Sequence, residues 1–383
     1  MLPAARAAWV DQSARVGNPS SLHASGRAAR RVVEESRESI AGALDVRPSA
    51  VVFTSGGTEA DNLAVKGVYW SRRLAKGAHR ILASAVEHHA VLDPVAWLES
   101  EQGADVRWLP VDHLGRVSID ALARELSEPE SVALCTVMWA NNEVGTVQPV
   151  HAIADLCRSA GVPFHTDAVQ GLGHLPLSLG SLAADAVTLS SHKIGGPFGV
   201  GALIVDPLAR LTPVLHGGGQ EREIRSGTLD APAIAGFAVA VDHAVSGQAE
   251  RARRLLRLRE ALVTGVLAHL PDAVFNGDPG GAPDERLPGN VHFSFPGCEG
   301  DLLLMLLDAA GVDCSTGSAC TAGVPEPSHV LLAMGVDEAQ ARSSLRFSLG
   351  EDSSEQDIAA VLAALPGAVA RARRAGSLAP KAG

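Results

Sequence analysis

Short apolar runs alternate with amphipathic segments through about the first 240 residues of the chain. Val51–Thr54 is an apolar run, and a helical pattern begins near Thr58 directly after it. Similar runs, predicted as strands, recur at 80–83, 106–109, 132–137, 163–165, 186–189 and 200–205. Helical patterns separate several of them, which is typical of an α/β fold with a mostly parallel sheet covered on both faces.

The pattern changes after residue 241. A long Arg/Leu-rich helix is predicted over 249–270, followed by a strand at 290–295, a helix at 300–310 and a strand at 344–349. This mixture predicts a smaller α+β domain. We therefore expect a large domain over 15–240 and a small C-terminal domain over 241–383, to which residues 1–14 are also assigned.

Composition excludes several classes of protein. The 383 residues are 46% hydrophobic and carry a formal net charge of −11, which argues against nucleic acid as the main partner. No stretch of 18 or more residues is uniformly apolar, which argues against a membrane span. The N-terminus has no basic region followed by an apolar segment, so no secretory signal is expected. Five cysteines, odd in number and unclustered, suit a reducing cytoplasm.

Lys193 is the strongest chemical candidate. It ends the sequence Ser190–Lys193, precedes the glycines of 195–197, and lies 26 residues after Asp167. A lysine that forms a Schiff base with pyridoxal 5'-phosphate (PLP) needs a tight turn of small residues. An acid at the end of a neighbouring strand holds the pyridine nitrogen protonated. The alternative for this motif alone is a surface lysine beside glycines.

Two further segments fall where strands are predicted to end. Residues 54–59 read Thr-Ser-Gly-Gly-Thr-Glu and join a strand to a helix. The glycines and the free N–H groups at the helix start favour binding of an anion such as phosphate. The alternative is an ordinary helix start capped by Ser or Thr. Glu87, His88 and His89 follow the next strand. His88 is a candidate to stack on an aromatic cofactor, and the alternative is that it has only a structural role. Adjacent histidines face different directions, so His88 and His89 are poor candidates to bind one metal ion.

Polar groups also occupy two predicted loops. Asn141, Asn142 and Glu143 follow the strand at 132–137 and offer side chains to a substrate or cofactor. Residues 216–228 form a glycine-rich loop, predicted to be mobile, with Arg225 and Thr228 available to a phosphate across a dimer interface. A flexible surface turn is the alternative for this loop.

Cys320 stands apart from the other cysteines because small residues flank it on both sides, from Ser315 to Gly323. An exposed, adaptable loop is where a reactive thiol belongs. Cys135, Cys157 and Cys298 are predicted to be buried apolar residues. The spacing of Cys314 and Cys320 matches no common zinc site, and no metal is expected.

Taken together, these motifs resemble the cysteine desulfurases of the NifS/IscS type, which are PLP enzymes of fold type I in the class V aminotransferase superfamily. The matching segments run in family order across nearly the whole chain: 17–23, 54–58, 87–88, 141–143, 167–170, 190–193, 225–228, 318–321 and 346–350. The long loop around Cys320 is similar to that of the desulfurases with a mobile cysteine loop.

The resemblance implies a role for each matching residue. Lys193 would carry PLP and transfer protons, and Cys320 would take sulfur from L-cysteine as a persulfide and release alanine. Substrate carboxylate would be bound by Asn141 and Arg346. The residues that would hold the cofactor are Gly57, Thr58, His88, Asp167, Gln170, Ser190, His192 and, from the partner of a homodimer, Thr228.

The same resemblance implies a sulfur-acceptor protein, either an iron–sulfur scaffold or a tRNA thiolase. Family members usually begin with a further strand, and this sequence starts just beyond it, so an inactive scaffold is one alternative reading. Selenocysteine lyase or another class V PLP enzyme is the other. The Cys320 loop favours the desulfurase, because an aminotransferase needs no such thiol.

Overall fold

The computed structural model describes residues 1–206, 209–317 and 326–378, which form two compact units. The first unit comprises Met1–Leu109, Ser118–Trp139 and Pro149–Gln248. The second comprises Pro110–Val117, Ala140–Gln148 and the chain from Ala249 onward. Two short segments of the amino-terminal half therefore belong to the second unit, which the hydrophobic pattern did not predict.

The assignment of residues 1–14 to the smaller domain differs from the structure, which places them in the first unit. Their helix, α1 (Pro3–Ser13), packs on α7 (Ala231–Ser246), where a Cβ on Gly236 would lie 3.0 Å from the carbonyl oxygen of Ala5. The backbone N–H of Leu2 donates to the carbonyl oxygen of Gly195 at 2.7 Å. These contacts are long-range, so local sequence gave no signal for them.

A seven-stranded sheet forms the centre of the first unit, in the order β1-β7-β6-β5-β4-β2-β3. Its strands are β1 (Val51–Thr54), β2 (Arg80–Ser84), β3 (Asp105–Leu109), β4 (Val132–Thr136), β5 (Phe164–Asp167), β6 (Ala186–Ser190) and β7 (Gly201–Val205). Only β7 runs against the others, since a short turn joins it to β6. The predicted mostly parallel sheet is confirmed.

The first unit also contains seven α-helices among its described residues. Besides α1 and α7 they are α2 (Ala24–Ala43), α3 (Gly57–Lys76), α4 (His89–Gln102), α5 (Ile119–Glu125) and α6 (Val150–Ala160). The strands β1, β4, β5, β6 and β7 are buried along their whole length. This explains why β1, β4, β6 and β7 read as mainly apolar runs rather than as alternating patterns.

The second unit is a smaller α+β structure, as predicted. An antiparallel sheet contains β8 (Val274–Phe275), β9 (Asn290–Ser294) and β10 (Ser344–Ser348), with β9 in the centre. Its helices are α8 (Gln248–His269), α9 (Gly300–Asp308), α10 (His329–Ala333), α11 (Glu338–Arg342) and α12 (Glu355–Leu378). Buried side chains from β9, α9 and β10, among them Phe293, Leu303 and Phe347, form its core.

Within the described ranges, none of the helices combines the length and apolar character that crossing a bilayer requires.

Candidate active site

The predicted site segments of the first unit follow the carboxyl ends of four parallel strands, at one edge of the sheet. The strands β1, β2, β5 and β6 share one direction, and their carboxyl ends lead into residues 55–58, 87–88, 167–170 and 190–193. Ligands of open α/β folds bind at this edge. In the first unit these four segments therefore follow strand ends on the same side of the sheet, and their roles in a site stay predictions.

A tight glycine turn separates β1 from α3. Gly56 has φ 151° and ψ −176°, a conformation available essentially to glycine alone. A Cβ on Gly201, in the neighbouring strand, would lie 2.8 Å from the Cα atom of Gly56, so the absence of a side chain on Gly201 permits this close approach. A Cβ on Gly57 would lie 3.0 Å from Cγ2 of Val169. The turn therefore leaves the N–H groups at the start of α3 open to an anion.

The lysine turn follows β6 directly. Residues Ser191–Ile194 form a single 3₁₀ turn that ends at Gly195, with φ 77°. A Cβ on Gly196 would lie 2.1 Å from Oγ of Ser191 and 3.1 Å from Cβ of Ala240, so a side chain there would require these neighbours to shift. Lys193 is exposed at the top of this turn, as a lysine that must reach a ligand requires.

Ser190 and His192 flank the lysine turn. Oγ of Ser190 lies 3.0 Å from Nδ1 of His192, and the His192 ring stacks on Phe198 with a centroid distance of 5.6 Å. Partial burial and the Lys193 charge lower the pKa of His192. A neutral imidazole at this position can hold the Ser190 hydroxyl as a donor or an acceptor.

Asp167 ends β5 and is buried, with only 6% of its surface exposed. Burial raises the pKa of Asp167 to about 6, against the opposing effects of the Val169 N–H bond and the Lys193 charge. The Val169 N–H donates to Oδ1 at 2.8 Å. A buried carboxylate of this kind suits a cationic ring nitrogen, because a bound cation favours its charged form.

Two more buried carboxyl groups lie near Asp167, and neither was among the predicted site residues. Burial raises the pKa of Glu87 to about 8, while the Met138 N–H, donating to Oε1 at 2.6 Å, opposes that rise. Burial and the Asp167 charge raise the pKa of Asp61 well above its usual value. The sequence pointed to Glu87 only as the residue next to His88. Asp61 lies inside α3, and no sequence motif pointed to it.

A neutral histidine connects Asp61 to the sheet. Nε2 of His165 lies 3.5 Å from Oδ1 of Asp61 and 3.0 Å from Oγ1 of Thr188, and Nδ1 lies 2.8 Å from Oγ1 of Thr136. Complete burial lowers the pKa of His165 to about 3. The ring is therefore uncharged, and it links Asp61 to β4 and β6 without adding a positive charge.

His88 caps α4, with Nδ1 accepting the Ala90 N–H at 3.1 Å. This bond assigns the ring proton to Nε2 in the neutral form. The His89 ring lies 6.5 Å away at 79°, so the two rings face different directions as predicted. His88 is exposed, which leaves it accessible to an aromatic ligand, and Thr58 at the start of α3 is also exposed.

The loop at 216–228 is anchored rather than free along its length. Glu221 is 2% exposed, accepts the Phe53 N–H at 2.8 Å, and pairs with Arg37 at 2.7 Å. Arg225 pairs with Glu59 at 2.7 Å, so its guanidinium is already engaged. This pairing uses Nε and one terminal nitrogen of Arg225, and a role of Arg225 toward a phosphate stays a prediction. Thr228 is exposed.

Asn141 and Arg346 belong to the second unit. Asn141 is fully buried, and its Oδ1 accepts the N–H groups of Glu143 and Val144, each at 2.9 Å. Arg346 donates through one terminal nitrogen to the carbonyl oxygen of Asn142 at 2.9 Å. Its Nε is buried, with no hydrogen-bond partner among the described residues. A buried donor of this kind suits an anionic ligand such as a carboxylate.

Cys320 lies in 318–325, outside the described residues. Cys135, Cys157 and Cys298 are buried, as predicted, and Cys314 is half-buried. In the described ranges no three His, Cys, Asp or Glu side chains are arranged to hold a metal ion.

Comparison with known proteins identifies relatives along nearly the whole chain. The family model "Aminotransferase class-V" matches residues 5–361. An "IscS-like cysteine desulfurase" of Mycobacterium tuberculosis is 56% identical, with 98% of this chain and 95% of the relative covered. "Cysteine desulfurase IscS" of Methanosarcina thermophila is 42% identical, with 95% and 88% covered.

Solved structures give the same result. A "NIFS-LIKE PROTEIN" superposes with a TM-score of 0.87 at 33% identity, covering 97% of this chain and 96% of the other. A NifS-like protein from Rickettsia africae gives 0.85 at 30% identity, with 96% of each chain covered. The resemblance inferred from the motifs is confirmed.

Proposed function

The chain belongs to the class-V aminotransferase family, and we propose that it is an L-cysteine desulfurase that converts L-cysteine to L-alanine. The relatives that carry this name match it over nearly their entire length. The observation that supports the chemistry best is Lys193, exposed on a glycine-bounded turn, in electrostatic contact with the buried carboxyl of Asp167.

The family implies PLP, and the residues at the sheet edge fit it. Asp167 suits the pyridine nitrogen, and the open N–H groups after Gly56 suit the phosphate, with Gly57, Thr58, Ser190 and His192 around them. His88 presents a ring for stacking, and Gln170 follows three residues after Asp167. Lys193 would hold the aldehyde carbon. When bound, PLP supplies an electron sink for negative charge at the substrate Cα.

The protein groups then divide the remaining tasks. Lys193 would move the proton at Cα, since a lysine amine can act as a base. The negative charge of Asp167 would favour a protonated pyridine nitrogen. Arg346 and Asn141 bind the substrate carboxylate. A planar guanidinium matches two carboxylate oxygens, which fixes the orientation of the substrate.

Cys320 carries the sulfur transfer in this proposal. Its thiolate attacks the sulfur of the substrate and forms an S–S bond, while the Cβ–S bond breaks and leaves its electron pair on carbon. Protonation at Cβ gives alanine, and Cys320 is left as a persulfide. No external oxidant or reductant is consumed in this step.

The persulfide requires a sulfur acceptor, which we propose to be an iron–sulfur scaffold or a tRNA thiolase. We also propose a homodimer, with Thr228 of each subunit reaching the cofactor phosphate of the other. The anchored loop at 216–228 supports this, since Thr228 is exposed while the chain before it is fixed through Glu221 and Arg225.

Selenocysteine lyase is the second candidate, since it would use the same cofactor site. Assays of alanine and sulfide release with L-cysteine, and of selenide release with L-selenocysteine, separate the two. A desulfurase turns over L-cysteine and loses this activity in Cys320→Ala. A lyase turns over only selenocysteine and does not depend on Cys320. An inactive scaffold turns over neither substrate, whether or not it binds PLP.

A further inference from the structure

Asn290 joins a buried arginine to the chain segment that carries Asn141. It lies at the start of β9 and is 6% exposed, and Arg286, four residues earlier, is 1% exposed. Both residues belong to the second unit, as do Asn141 and Arg346. A buried amide and a buried guanidinium are costly to remove from water unless hydrogen bonds compensate, so their bonding partners indicate which groups they hold in place.

Arg286 orients the side chain of Asn290. Its Nη1 donates to the carbonyl oxygens of Asn276 and Asp278 at 2.8 and 2.9 Å. Its Nε donates to the carbonyl oxygen of Asn290 at 3.1 Å, and its Nη2 donates to Oδ1 of the same residue at 3.0 Å. Burial lowers the pKa of Arg286 to about 9, so the group stays positively charged at neutral pH. Because arginine can only donate, its bond assigns the oxygen end of the Asn290 amide and leaves Nδ2 to donate elsewhere.

Nδ2 of Asn290 donates to two successive carbonyl oxygens, that of Asn142 at 3.4 Å and that of Glu143 at 2.9 Å. The carbonyl oxygen of Asn142 also accepts from Nη1 of Arg346 at 2.9 Å. The N–H of Glu143 donates to Oδ1 of Asn141 at 2.9 Å. One side-chain amide therefore holds the peptide groups that contact both residues proposed to bind the substrate carboxylate.

The bond from Arg346 to Asn142 decides which edge of the guanidinium remains for a ligand. It uses Nη1, while Nε is buried and has no hydrogen-bond partner within the described ranges. The N–H of Nε points to the same side as Nη2, and these two nitrogens form an edge that matches the two oxygens of a carboxylate. A carboxylate bound at this edge would supply the acceptor that Nε lacks.

We infer that Asn290, oriented by Arg286, is a positioning residue for binding of the substrate carboxylate. It holds the carbonyl group of Asn142 in place, and this carbonyl group fixes the guanidinium of Arg346. The inference rests on the proposed function for the role of Arg346 in binding. Without the Asn290 amide, the carbonyl group and the guanidinium can adopt other arrangements. A carboxylate must then order both groups when it binds, which weakens its binding.

Binding of L-alanine and of ethylamine to the PLP-loaded protein tests the inference, because the two amines differ only in the carboxylate. The change in visible absorbance during a titration gives each dissociation constant. We expect Asn290→Ala to weaken binding of L-alanine by about tenfold and to change binding of ethylamine by less than about twofold. Arg286→Lys should act in the same direction, because lysine cannot make the two bonds that orient Asn290. Should Asn290→Ala not fold, Arg286→Lys decides the outcome.

Arg259→Lys is the matched control. Arg259 is 3% exposed, belongs to the same unit, and donates to the carbonyl oxygens of Leu287 and Gly280. It is thus a second buried arginine, and in the described part of the chain it makes no hydrogen bond to Asn290. Its substitution should lower the free energy of unfolding in urea, as Arg286→Lys does, and leave the dissociation constant of L-alanine unchanged.

A double variant shows whether Asn290 acts through Arg346. In a background of Arg346→Ala, Asn290→Ala should cause no further loss of L-alanine binding, since the guanidinium that it positions is absent. An equal weakening for L-alanine and ethylamine, or wild-type affinity for both in Asn290→Ala and Arg286→Lys, would overturn the inference and leave the proposed function intact. If the wild-type protein binds both amines equally, Arg346 does not bind a carboxylate, and its proposed role fails together with the inference.

Discussion

Arg225 donates through Nε to Oε1 of Glu59 at 2.7 Å, and Oε2 of the same carboxylate accepts the Ser55 N–H at 2.7 Å. Glu59 therefore joins the glycine turn before α3 to the loop that carries Thr228. The two Arg225 bonds and the Ser55 N–H lower the pKa of Glu59 despite its partial burial, which raises it.

We expect Glu59→Ala to weaken PLP binding by about tenfold, because both the turn and the loop lose a charge-assisted hydrogen bond. Equilibrium dialysis of the protein with PLP measures this change. Arg225→Ala should have a similar effect, and the double variant should bind no more weakly than either single variant. Additive losses would show that the two residues act separately.

Glu87 predicts a particular pH dependence of stability. Its pKa is raised from 4.5 to about 8, so the folded protein holds a proton that the unfolded chain releases above about pH 4.5. The contribution of protonated Glu87 to the free energy of unfolding is complete below about pH 4.5 and is lost as the pH rises through about 8. Urea unfolding of the cofactor-free protein should therefore show the free energy of unfolding falling across this range.

Glu87→Gln retains an oxygen for the Met138 N–H and does not ionise. The fall in stability between pH 5 and pH 9 should be smaller in this variant by an amount on the order of a few kcal/mol. Glu99→Gln, on the exposed face of α4, should titrate like the wild type. Equal slopes in the wild type and Glu87→Gln would mean that Glu87 is charged in the folded protein.

Gly56→Ala should destabilise the protein by about 1–3 kcal/mol, since alanine does not readily adopt φ 151° and ψ −176°. Gly42 in α2 is a matched control, because a Cβ there meets no atom within 4 Å. Gly42→Ala should be neutral or stabilising by up to about 1 kcal/mol. Chemical denaturation measures both changes, and equal stabilities for the two variants would contradict the role of Gly56.

Arg346→Lys should raise KM for L-cysteine by about tenfold or more, because lysine cannot bind both carboxylate oxygens in the planar geometry of a guanidinium. Steady-state kinetics over a range of L-cysteine concentrations measure this. Arg342→Lys, four residues earlier and half-buried beside Glu338, is the control and should retain the wild-type KM. An unchanged KM in Arg346→Lys would exclude Arg346 from substrate binding.

The sheet of the first unit was largely predictable. Buried parallel strands read as apolar runs, and each strand predicted in this unit is present within about two residues of the expected bounds. The antiparallel direction of β7 was not predicted. It depends on the turn after Lys193, which returns the chain at once instead of crossing over through a helix.

Residues of the candidate site could be predicted where they stand in short sequence motifs. Contacts between residues that are distant in the chain could not be predicted. Gly57, Asp167 and Lys193 stand in short segments with their own chemical signature. Asp61 and His165 are unremarkable in sequence and gain their significance only from burial beside Asp167. The pairing of Arg225 with Glu59 was not predicted, because the two residues lie 166 positions apart in the chain.

Transfer of sulfur to Cys320 is the central claim, and one measurement tests it most directly. The protein, loaded with PLP, is mixed with one equivalent of L-cysteine in the absence of reductant. The mass of the peptide that contains Cys320 is then measured by mass spectrometry. The account predicts a gain of one sulfur atom on Cys320 with matching release of alanine, absent in Lys193→Ala. Alanine release with no added sulfur on Cys320 would contradict it.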